Sequence, residues 1–219
     1  MASDLSNIFK DELSNTLEQL LSKSSQVETV NELNAEIYNS SQVIEGSVNF
    51  EFNDITSTWN FYIPTISATK FEYLMLGGMG DLKDHIDDEI VDAVNEIISN
   101  ICGSFCTSVN AQGFSDVSSI KSKIKSCTIL EGDVLSSKQN SYEFTLSLDE
   151  SKLPIIISFD EIILPFISII TGKELASYAN NTPEIRNNNE AKEQTSLNTT
   201  NIKTPKNLEL LYNVKLKLS

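Results

Sequence analysis

Along residues 87–110, apolar and polar positions recur at helical spacing on different sides of one helix. Ile90, Val94, Ile97, Ile101 and Phe105 form the apolar side, and Asp92, Glu96, Ser99 and Gly103 form a polar stripe. At about 100° per residue the stripe falls in a narrow wedge, so a carboxylate, a hydroxyl and a residue with no side chain share one solvent corridor. Helical spacing also predicts a helix over about 4–23, with Leu5, Ile8, Phe9, Leu13, Leu17, Leu20 and Leu21 on one face, which reads as a docking helix. An Asn/Ser-rich passage follows. Val48, Phe50 and Phe52, then Trp59, Phe61 and Ile63, alternate with polar residues around the turn signal Asn53-Asp54, the pattern of a hairpin. A short helix over about 68–76 is expected to stop at Gly77-Gly78.

The second half repeats the plan. After the helix at 87–110 the pattern predicts a strand near 122–130, an alternating strand through Tyr142, Phe144, Leu146 and Leu148, and a more buried strand at 153–159. A helix over about 160–171 ends at Gly172. Helix, hairpin and short helix with a glycine stop thus occur twice, which predicts two related halves.

Composition narrows the function. The chain has 219 residues, 40% hydrophobic, enough for a domain of ordinary size plus a smaller part. Asp and Glu total 31 against 16 Lys and Arg, a formal net charge of −15, which argues against nucleic acid or anionic membrane as the principal ligand. No secretory signal opens the chain and no run of apolar residues is long enough to span a membrane, so direct membrane insertion is not expected. The cysteines are odd in number, and Cys102 and Cys106 sit four apart on an apolar helix side, where buried thiols are commoner than disulfides; a reducing cytoplasm is expected.

Several chemistries have little to work with. His85 is the only histidine, which leaves Ser-His-Asp and multi-histidine metal sites without parts. Gly77, Gly78 and Gly80 lack the G-K-[ST] of a phosphate loop and read as a helix stop. The acidic run Asp81, Asp84, Asp87, Asp88, Glu89 and Asp92 does not have EF-hand spacing, and carboxylates at a helix start are explained by the helix dipole. No metal site is expected.

The stretch Asp92, Glu96, Gly103, Ser104, Thr107 and Ser108 reads D-x3-E-x6-G-S-x2-T-S. It resembles the helix of the CheC, CheX and FliY group, whose chemotaxis phosphatase signature is an Asp or Ser, three residues, a Glu, two residues and an Asn. Ser99 stands where the signature has Asn, and the amide comes one place later at Asn100. The resemblance implies an α/β fold over residues 1–174, a pseudo-twofold domain with a mostly antiparallel sheet flanked by two long helices. Residues 175–206, rich in asparagine, read as a disordered linker. Residues 207–219 resemble the opening of a FliN-type (SpoA) ring domain, so a truncated form of a longer protein is expected.

In the resembling group the Asn amide orients water, the Glu anchors a lysine of the partner, and magnesium comes from the partner. Carried over, Glu96 is the anchor, Asp92 opens the motif, and Ser99 or Asn100 takes the water-orienting place. A serine hydroxyl offers one donor where an amide offers two, so slower hydrolysis is expected. Asp4 and Asn7 have the same two-residue spacing with Asp for Glu and make a second, degenerate candidate. The function implied is that of a flagellar motor switch (C-ring) component, in rotor assembly and chemotaxis signalling. Its partners would be FliM, FliN, FliG and a CheY-type response regulator, in the cytoplasm at the flagellar basal body. The alternative is a phosphatase acting on the aspartyl phosphate of that regulator, with no cofactor of its own. A free adaptor of another target is a third reading.

Overall fold

The computed structural model describes residues 2–171, so the expected linker at 175–206 and ring-domain start at 207–219 lie outside the described residues. The first half runs α1 (Ser6–Leu21), β1 (Ser25–Glu32), a 3-10 turn (Ala35–Tyr38), β2 (Gln42–Phe52), β3 (Ile55–Pro64) and α2 (Thr65–Met75). The second runs α3 (Asp88–Gln112), β4 (Lys121–Glu131), a 3-10 turn (Gly132–Ser137), β5 (Ser141–Leu148), β6 (Ser151–Phe159), a 3-10 turn (Leu164–Phe166) and α4 (Ser168–Thr171). The strands form one six-stranded sheet in the order β1-β5-β6-β3-β2-β4, and every pairing is antiparallel. Exchanging the two halves turns that order into its own reverse. The expected pseudo-twofold α/β architecture is therefore present.

Parity along the strands decides which face is buried. Ile44, Val48, Phe50, Trp59, Phe61, Phe144, Ile155 and Ile157 point to one face, where α1 and α3 cover them in a single core. Their neighbours Val43, Tyr62 and Ile156 point the other way and meet Tyr38 and Leu135 from the 3-10 turns in a smaller cluster. The long helices thus share one face. Phe9 of α1 sits at the centre, edge-on to Trp59 at 5.3 Å, Phe105 at 5.4 Å and Phe144 at 5.7 Å. Close approach is bought by missing side chains: a Cβ on Gly46 of β2 would run into Ile98 of α3, and one on Gly132 into the backbone oxygens of Tyr38 and Ser41.

Three sequence expectations change. The docking helix is a core helix, because Leu5, Phe9, Leu13, Leu17 and Leu21 are all buried in the main core. The helix over 160–171 is broken. Pro165 lacks an N–H and Asp160 takes the Ile163 N–H, so the backbone makes a 3-10 turn before a single turn of α4. β1 was hidden inside the Asn/Ser-rich passage by a register shift between Val27 and Thr29, which puts Val27 and Val30 three apart instead of two. Among the described residues no helix is long and apolar enough to cross a membrane.

Candidate functional site

α3 begins where Asp87 accepts the Ile90 N–H at 3.0 Å, and it ends at Gly113, whose φ of 69° is the left-handed conformation of a helix stop. Lys83 holds that start in place, reaching Asp87 at 2.8 Å, Glu89 at 2.9 Å and the buried Glu72 of α2 at 3.1 Å. The three carboxylates around it, Asp87 foremost, raise the Lys83 ammonium above its ordinary value. With one side of α3 buried from Ile90 to Val109, the opposite side presents Asp92, Glu96, Ser99, Asn100 and Gly103 to solvent.

α1 packs beside α3, and the two helices enclose a shallow groove of about 430 Å³ lined by Glu12, Ser99, Asn100, Gly103, Ser104, Thr107 and Ser108. Ser99 and Asn100 are therefore brought into one place. Asp92 and Glu96 stand further toward the N-terminal end of the same exposed side and do not line it. The Asn100 amide donates to the Glu96 carbonyl of its own helix at 2.8 Å, and the Thr107 hydroxyl donates likewise to Gly103 at 2.9 Å. Nothing lies within 4 Å of the place a Gly103 Cβ would take. A glycine inside a helix costs about 0.5–1 kcal/mol relative to alanine. No packing within the described residues asks for it here, but an approaching partner surface would.

The degenerate pair separates. Asn7 is exposed, whereas Asp4 accepts the Ser6 N–H at 2.9 Å, the Ser168 hydroxyl and the Ile169 N–H at 3.2 Å. Burial pushes its carboxyl up, and these hydrogen bonds outweigh that and leave it below the usual value. Asp4 thus fastens the N-terminal segment to α4.

A pair the sequence reasoning passed over has one member, Glu12, on the groove. Glu12 and Asn15 of α1 have the E-x2-N spacing of the signature intact, with Ile8 where the Asp or Ser would stand. The Glu12 carboxylate accepts the Ser108 hydroxyl of α3 at 2.6 Å. Asn15 is exposed one turn on and makes no hydrogen bond to the described residues. The spacing was readable, but it was masked by the strong leucine periodicity that made the helix look purely structural. Among the described residues no group of His, Cys, Asp and Glu is placed to hold a metal ion.

No protein-family model matches the chain, and no curated protein is similar to it in sequence. Solved structures are similar to it in fold. The X-ray structure of Thermotoga maritima FliY matches with a TM-score of 0.59 at 19% identity, covering 78% of this chain and 93% of that one. The CheX of a Borrelia burgdorferi CheX–CheY–BeF3–Mg complex matches at 0.52 and 15% identity, covering 72% and 99%. The FliM middle domain of Vibrio alginolyticus matches at 0.52 and 9% identity, covering 74% and 94%. With its reversible strand order and its two long helices on one face, the chain has the fold of FliY, CheX and the FliM middle domain, as its resemblance to the CheC, CheX and FliY group implies.

Proposed function

We propose that this chain is a flagellar motor switch component that takes part in rotor assembly and receives the chemotaxis signal by docking a phosphorylated CheY-type response regulator on the α1–α3 groove. The observation that carries the reading is the groove itself: a carboxylate from α1, a hydroxyl-rich floor from α3, and at Gly103 an opening no internal contact requires. A lysine of the regulator would pair with Glu12, in keeping with the acidic balance of the chain. In this reading FliM, FliN and FliG are the assembly partners, and the exposed Leu76, Met79 and Leu82 between α2 and α3 supply apolar surface of the kind subunit contacts bury. Residues 175–206 would then link the domain to a ring-forming segment starting at 207, in the cytoplasm at the basal body. The docking test is binding of a beryllofluoride-activated CheY-type regulator to the wild-type chain and to Gly103→Trp, which fills the groove. Loss of binding in the variant is expected; equal binding would refute the assignment.

The second reading is hydrolysis of the aspartyl phosphate, and Asn15 favours it. An acyl phosphate is already labile, so the need is for a group that holds water in line with phosphorus and another that anchors the partner. Asn15 has both amide functions free, unlike Asn100, and Ser99 has only a hydroxyl. Magnesium would come with the regulator. Loss of phosphate from the regulator should slow in Glu12→Ala and Asn15→Ala. It should quicken about tenfold in Ser99→Asn if the α3 copy also engages, a change of roughly 1.4 kcal/mol in barrier. Rates unchanged in Asn15→Ala and Ser99→Asn, with regulator binding intact in both, would sink the catalytic reading and leave the assembly one standing.

A further inference from the structure

We propose that Ser108 is a positioning residue: its hydroxyl, donated across the helix pair, sets the Glu12 carboxylate in the pose that anchors the partner. This rests on the docking reading above. Glu12 is only half-buried on α1, with several rotamers open to it, and a flexible glutamate loses freedom on binding unless something already holds it. The 2.6 Å bond from Ser108 Oγ to Glu12 Oε1 supplies that hold while leaving the second carboxylate oxygen for a cation.

The neighbouring hydroxyl cannot substitute. Thr107 donates to the Gly103 carbonyl of its own helix. No cation of the described residues is paired with Glu12, so Ser108 is what fixes its direction, and the acceptor capacity left over is what a lysine ammonium needs. The same bond ties α1 to α3 at the groove, so the spacing of the helices and the aim of the anchor are set together.

The test is a double-mutant cycle on binding of the beryllofluoride-activated regulator to the full chain, with wild type, Ser108→Ala, Glu12→Ala and the double variant. Ser108→Ala should weaken binding about fivefold in the wild-type background. It should have no further effect once Glu12 is alanine, and Ser108→Thr, which keeps the hydroxyl, should restore most of the affinity. Thermal melting of each variant accompanies the titrations, so a general loss of fold is seen separately. If Ser108→Ala binds as wild type does, or weakens binding equally in both backgrounds, the positioning role is overturned while the docking site stands. If Glu12→Ala binds as tightly as wild type, or wild type does not bind at all, the docking reading falls and the positioning role with it.

Discussion

On α3, residues one step apart in sequence differ entirely in what they cost to change. Ile97 is buried in the core while its neighbour Glu96 is exposed. Ile97→Asp is expected to destabilise the domain by more than about 3 kcal/mol, because it buries an unpaired carboxylate, and Glu96→Ala by less than about 0.5 kcal/mol. Urea unfolding of the two variants checks this, and equal losses would mean the helix faces are exchanged. At Asp4 the variable is pH. Its carboxyl lies lower in the folded chain than the unfolded value of about 3.9, so its contribution is complete above that value and is lost as pH falls through the folded one. Asp4→Asn should therefore be less stable than wild type at neutral pH, and the difference should shrink toward pH 2. A constant gap in melting temperature across that range would show that the charge on Asp4 is not what binds α4.

Whole elements were legible where one rule governed them. The 3.6-residue period gave α1 and α3, the two-residue period gave β5 near its observed limits and the inner parts of β2 and β3, and a more continuously apolar run gave β6. β2 starts six residues before its clean alternation at Val48, since Val43 and Ile44 serve opposite faces and Gly46 has no side chain to show a parity. β1 escaped through its register shift, and Pro165 turned an apolar run into a broken helix. The candidate site was half legible: the α3 stripe is a pattern within one helix, but the groove needs α1 beside it, and adjacency of two helices so far apart in sequence is not written in either. The loop between α2 and α3 carries its own forecast. Among the described residues Lys83 is the sole cation on Glu72, whose side chain is 8% exposed, and Lys83→Met leaves that carboxylate desolvated without this partner. Melting should drop clearly in this variant and hardly at all in Lys152→Met, whose exposed pair with Glu28 at 2.7 Å lies on the surface. Equal shifts would mean that Lys83 is not what secures the start of α3.

At the scale of the whole molecule, the core buries the Cys102 and Cys106 thiols and leaves Cys127 of β4 half-buried. Burial pushes Cys106 and Cys127 up to about 11 and Cys102 well above its ordinary value, so almost no thiolate exists near neutral pH. A disulfide-exchange reagent at pH 8 should label the native chain slowly and all 3 cysteines at once after unfolding in guanidinium. Prompt labelling of native Cys102 or Cys106 would show an opening of the α3 face. The strand order has a consequence for the chain as it is being made. Among the described strands β1 pairs with β5 alone, and β5 and β6 of the second half stand between it and the hairpin of its own half. The first half thus cannot close on itself when it leaves the ribosome: α1 and β1 must wait until Leu148 has been synthesised before their edge is filled. Until then the nascent chain shows an unfinished apolar face, and its safe passage depends on how quickly translation supplies the missing strands or on a chaperone that shields them.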